Sequence, residues 1–136
     1  MKPWLLPTFG AFLLWGLWSF IPKITIKYIS PKSAVVFEVL GGMIIALIVL
    51  VSLKFKPDIH FKGVLLAITT GILGFGGALC FLYGASKGPI SLVAVLSALY
   101  PIIALVLAMF FLNESMTIKQ SLGIVLGLGA MILIAT

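Results

Sequence analysis

The chain has 136 residues, 62% of them hydrophobic and 9% charged, with a mean hydropathy of +1.33. Soluble domains carry about a quarter charged residues, so this composition excludes a water-soluble fold and indicates an integral membrane protein of four or five helices at about 20 residues per span. The net charge of +6 comes from nine lysines against three acids; the lysines lie singly between or near the ends of apolar runs, which is a topology signal and a poor footprint for nucleic acid.

The first span is read over 5–28. Three tryptophans lie in or just before it and it lacks a clear small-residue cleavage site, so it reads as a retained helix and not as a signal peptide. Pro22 near its end removes one backbone donor, and a kink is expected there. Thr8, Phe12, Trp15, Ser19 and Lys23 follow one another at spacings of 4, 3, 4 and 4, hence on one face. A stripe of aromatic, hydroxyl and ammonium groups suits a wet or protein-facing surface. The alternative is ordinary packing for Trp15 and a Lys23 that snorkels to the headgroups.

Ser30 before Pro31 has the pattern of an N-cap with proline at the first helical position, and it opens a second span over 31–53. Glu38 is the carboxylate that falls inside a predicted span, about 10 Å from the helix start at ~1.5 Å per residue. Lys23 lies about 7 Å from the end of the first helix by the same rise. The two depths nearly match across the hairpin, which raises a Glu38 to Lys23 ion pair or coupling site. A charge at mid-helix costs about 2.5 to 3.5 kcal/mol on insertion scales, so a partner or water is expected. A purely structural pair is the competing reading.

The connection from Lys54 to Lys62 is polar. His60 within it has no second ligand at metal spacing, so no metal site is expected, and no cofactor motif is present. A third span over 61–83 carries Ala67, Gly71, Gly74 and Ala78 on one face, a small-residue stripe of the kind that lets helices approach closely. The lone Cys80 on it cannot form an intrachain disulfide. Residues 84–88 are read as a turn, and Pro89 as the start of the next helix. The fourth span, 90–112, has a small face of Ala94, Ser97, Pro101, Ala104 and Ala108, with Pro101 near its middle and Tyr100 beside it. After a polar hinge from Asn113 to Thr117, Thr117 and Gln120 make a capping-box pattern that opens a fifth span over 118–135. Gly123 and Gly127 form GxxxG there, a candidate dimer seam. The sequon Asn113-Glu114-Ser115 lies tight against a helix end, and glycosylation is not expected.

Five spans put the termini on opposite sides of the bilayer. One side then holds Lys2, Lys54, Lys56, Lys62 and Lys119; the other holds Lys23, Lys27, Lys32 and Lys87. This near balance leaves orientation weakly specified, and insertion both ways would give an antiparallel homodimer, the inverted two-repeat arrangement common among transporters. A parallel dimer is the rival.

The runs LLWGLWSFIPK and LYGASKGPISLVAVLSALYPIIALVLAMFFLNESMT, with the glycine-rich last helix, resemble the EamA-like domain of the drug/metabolite transporter superfamily. The resemblance covers nearly the whole chain as a single domain, 1–136, and is strongest from Tyr83 onward, where Pro101 and Glu114 match the domain's mid-helix proline and loop glutamate. It implies an all-α membrane fold, one half of a ten-helix arrangement, and therefore a homodimer or a partner. It also implies a central substrate path, which on this sequence falls on Trp15, Ser19, Tyr83, Ser97 and Tyr100. Glu38 departs from the family pattern, which has arginine or an apolar residue early in the second helix. The small multidrug resistance proteins carry a membrane glutamate in the first helix, which this chain lacks, so proton-coupled cation export through that position is not supported.

The leading expectation is a secondary carrier of a small organic metabolite, working by alternating access as an antiparallel homodimer in the plasma (inner) membrane of a prokaryote. The alternative is a non-transporting membrane subunit that needs a partner chain. An enzyme is not expected: GxxxxGK[ST], HExxH and a cysteine pair are all absent.

Overall fold

The computed structural model describes residues 3–112 and 116–135. Lys2 and the hinge residues Asn113, Glu114 and Ser115 lie outside the described residues, as do the side chain of Gln120 and with it the capping box. The described residues form α1 (Leu5–Thr25), α2 (Pro31–Ser52), α3 (Phe61–Lys87), α4 (Ile90–Ser97), α5 (Tyr100–Phe111) and α6 (Ile118–Ala135). Four stretches are long and apolar enough to cross a bilayer: α1, α2, α3, and Ile90–Phe111, which joins α4 to α5. The shorter apolar α6 is the fifth hydrophobic helix. The protein is thus an all-helical, multi-pass membrane protein.

Local chemistry explains the helix boundaries. Ser30 is extended (φ −68°, ψ 155°) and its Oγ accepts from Ser33 N–H at 3.3 Å, with Pro31 in the first turn. This is the cap expected from the sequence. At the other end of α2, Lys54 and Phe55 take left-handed backbone angles (φ 52° and 58°). Phe55 N–H donates to Leu50 C=O at 3.0 Å, the six-to-one bond of a Schellman cap, here closed without the usual glycine. His60 precedes α3, and its Nδ1 accepts from Gly63 N–H at 3.4 Å, so its side chain serves the helix start.

Three boundaries differ from expectation. α1 ends at Thr25 and the chain turns through Ile26 to Tyr28, where Lys27 and Tyr28 donate three residues back to Ile24 and Thr25, both at 3.0 Å. α3 continues past Tyr83 to Lys87, so Gly84 to Lys87 is helix and not turn. Lys23 Nζ donates to the Ala85 carbonyl (2.7 Å), one of the groups that a helix end leaves open, and Ser86 Oγ donates back along its own helix to the Tyr83 carbonyl (2.7 Å). The fourth span is interrupted at Ala98 and Leu99. Pro101 has no N–H to give the Ser97 carbonyl, and Leu99 and Ile102 donate three residues back, to Leu96 (3.2 Å) and Leu99 (3.0 Å). Pro89 is the N-cap of α4, with Ile90 the first helical residue.

The chain divides into two compact units, Met1–Lys87 and Gly88–Thr136. In the first, α3 packs against both α1 and α2. Its buried residues are Pro22, Ala34, Ala78, Phe81, Leu82 and Ala85. They come from the end of α1, the start of α2 and the end of α3, which the alternating chain direction brings to one end of the unit. Toward the other end the same helices expose their apolar side chains, as lipid-facing residues do. In the second unit α4 packs against α6.

Candidate functional site

The seam between α1 and α3 is built from Trp18 and Phe81, whose rings lie 5.3 Å apart at 40°. Pro22, one turn after Trp18, is buried beside it in sequence and on the same helix face. Lys23 follows, and its Nζ reaches across to the Ala85 carbonyl at 2.7 Å, a bond between residues far apart in the chain. An ammonium placed on the carbonyl end of a helix also meets the negative end of the helix dipole.

The seam between α2 and α3 rests on close backbone approach. A Cβ added at Gly42 would lie 3.0 Å from the tip of the Phe75 ring. Ala34, two turns earlier on the same face, is buried. Glu38 stands midway, four residues from each, so its helix face looks toward α3. Its Oε2 is buried with no hydrogen-bond partner among the described residues. Lys23 and Glu38, expected at matching depths, therefore meet different surroundings: Lys23 caps the end of α3, and Glu38 keeps an open acceptor further inside.

The residues expected along a substrate path divide between the units. Trp15, Ser19 and Tyr83 belong to the first; Ser97 and Tyr100 belong to the second. Trp15 is 61% exposed, Tyr83 37% and Tyr100 55%, so each ring has a free face. The two hydroxyls are turned inward on their own helices: Ser19 Oγ donates to Gly16 C=O at 2.8 Å and Ser97 Oγ to Ala94 C=O at 3.0 Å. Serine on a helix commonly satisfies itself this way, which leaves it an acceptor for a solute and no longer an obligatory donor. Gly123 and Gly127 on α6 have nothing within 4 Å of an added Cβ, so the GxxxG face is uncovered in the single chain. Gly71 and Gly74 of the α3 stripe are equally open, whereas Ala78 is buried. Among the described residues no three His, Cys, Asp or Glu side chains cluster as a metal site would need.

Sequence reasoning missed Trp18, Phe81, Phe75 and Gly42. A signal existed for Trp18, since Trp18 and Pro22 are spaced by four, one residue round from the polar stripe. For Gly42 and Phe75 no signal distinguishes an apolar residue that faces a helix from one that faces lipid.

What the arrangement offers chemically is a set of aromatic and apolar walls, hydroxyl oxygens and one unpartnered carboxylate, with no nucleophile and base within reach of each other among these residues. A family model described as the EamA-like transporter family matches residues 2–136. An uncharacterised protein of Methanocaldococcus jannaschii is similar to the chain, 31% identical over 123 residues that cover 90% of this chain and 89% of the relative. No solved structure matches.

Proposed function

The chain belongs to the EamA-like transporter family as a single repeat of the drug/metabolite transporter fold, and on that premise we propose that it moves a small organic metabolite across the membrane by alternating access, as an antiparallel homodimer. One observation carries the reading. The archaeal relative is matched over 89% of its own length, so that relative is about one repeat long, and a second copy is the simplest source of the other half of a path. Inverted repeats with the binding site between them are the usual plan of secondary carriers. The lysine balance of five against four supports insertion in both orientations. The open Gly123 and Gly127 face on α6 suits a seam with that copy.

In this reading Trp15, Ser19, Tyr83, Ser97 and Tyr100 line the path, with aromatic faces that guide an organic body and hydroxyl oxygens that accept from it. The interruption at Ala98 and Leu99 gives the fourth span a place to bend between inward- and outward-open states. Reconstitution of this chain alone into proteoliposomes is expected to give saturable, counterflow-competent uptake of at least one class of small organic solute. The uncovered small-residue faces also suit a subunit that completes a different chain. Flux that arises only after a second chain is added would establish that reading and remove the homodimer.

A further inference from the structure

We infer that Lys23 is a positioning residue: its ammonium takes the place of the backbone N–H that Pro89 lacks, and so keeps closed the last turn of α3, the turn that begins at Tyr83. The part that concerns solute rests on the transport reading; the bond and what it holds do not.

In an α-helix the carbonyl of one residue accepts from the N–H four residues later. For Ala85 that donor would be residue 89, which is proline and has no N–H. The helix accordingly ends at Lys87, and Pro89 is extended (φ −69°, ψ 132°) as the N-cap of α4. A carbonyl freed at an exposed helix end turns to water. Ala85 is 0% exposed, and Phe81 and Leu82 before it are buried too. A carbonyl so placed has to find its donor inside the protein, and Lys23 Nζ supplies one at 2.7 Å.

The sequence brings the ammonium to that point. α1 and α3 are separated by one helix and run in the same direction, so their C-terminal ends lie together. The Trp18–Phe81 ring pair joins them about one turn earlier. Pro22 is buried on the face of Trp18, and the next residue carries a side chain long enough to cross to the neighbouring helix. Lys23 is itself only half-buried, so the charge keeps access to solvent while one of its three N–H groups serves the carbonyl. A charged donor bonds more strongly than the amide it replaces, and it stands at the negative end of the α3 dipole.

What the bond holds is the turn 83–87. Tyr83 C=O accepts from Ser86 Oγ at 2.7 Å, and the Tyr83 side chain is partly open to the outside. Its placement therefore depends on this turn staying helical. Without the ammonium, the Ala85 carbonyl gains a donor by opening the turn to water, and Tyr83 becomes part of a fraying end.

The test is amide hydrogen exchange on the full chain in nanodiscs, read at residues 85–88 with α2 as internal reference. Lys23→Met is expected to speed exchange at 85–88 by about tenfold or more, the low end for a charge-assisted bond, with α2 at the parental level. Lys23→Arg is expected to keep the protection. Pro89→Ala returns an N–H to the chain, so the double variant Lys23→Met, Pro89→Ala is expected to regain most of what Lys23→Met loses; a lysine that served packing or topology alone is not rescued in this way. Pro89→Ala by itself keeps the Lys23 side chain and is expected to slow exchange at 85–88 below the parental rate. In proteoliposomes the half-saturating solute concentration is expected to rise in Lys23→Met and to return in the double variant. Parental exchange in Lys23→Met, an equal rise in α2, or no rescue by Pro89→Ala would overturn the inference. Flux with the parental half-saturation in Lys23→Met would overturn the positioning of Tyr83 and leave transport standing. The expected exchange pattern without flux of any solute would support the bond's role and remove the transport reading.

Discussion

Gly42 shows how much of this molecule turns on a single missing methyl group. An added Cβ there meets the Phe75 ring at 3.0 Å, while at the neighbouring Gly41 it meets nothing within 4 Å. Gly42→Val is therefore expected to lose about 1 to 3 kcal/mol through overpacking, with Gly41→Val within about 0.5 kcal/mol of the parent. Thermal or denaturant unfolding in micelles checks this, and equal shifts in the two variants would dismiss the α2–α3 approach. Lys54 gives the opposite sign. It holds a left-handed angle, φ 52°, at the position where a Schellman cap favours glycine. Lys54→Gly is expected to stabilise the chain by about 0.5 to 1 kcal/mol, because glycine carries no Cβ penalty there. The Ser30 cap was legible in the sequence, since hydroxyl plus proline at a helix start has one chemical reading. The acceptor of Lys23 was not: Ala85 offers only a carbonyl, and every residue has one.

At the scale of the helices, apolar length alone marked the spans, and the structure keeps that outline. The faces were harder. Protein-facing and lipid-facing residues of a membrane helix are both apolar, so periodicity carries little of the packing information that it carries in a soluble protein. This is why the polar stripe through Trp15, Ser19 and Lys23 was visible while the Trp18–Phe81 seam beside it was not. A double-mutant cycle with Trp18→Ala and Phe81→Ala is expected to show about 0.5 to 1.5 kcal/mol of coupling, the usual worth of an aromatic pair beyond its buried area. Additive losses would place the rings out of contact. The fourth span was read as one continuous run, and it is interrupted, with Ala98 and Leu99 outside helix. Pro101→Ala restores a donor to the Ser97 carbonyl. Amide exchange from Ala98 to Ile102 is expected to slow in that variant and solute flux to fall, since α4 and α5 could join into one stiff helix. Unchanged exchange would show that the interruption does not depend on the proline.

For the whole molecule, the proposed antiparallel pairing turns on orientation in the bilayer. Orientation follows lysine bias, and five against four is a narrow margin. Two added lysines in the 54–62 connection, or two beside Lys87, should each drive the chain to a single orientation. Each variant alone is expected to lose flux, and a mixture of the two to regain it, as an inverted pair requires. Activity of either variant alone at the parental level would favour a parallel arrangement. The most direct measurement is side-specific labelling of intact vesicles with an impermeant maleimide, using His60→Cys in a Cys80→Ala background. The homodimer account expects about equal labelled fractions from the outside and, after permeabilisation, from the inside. Labelling of position 60 from one side only would contradict it.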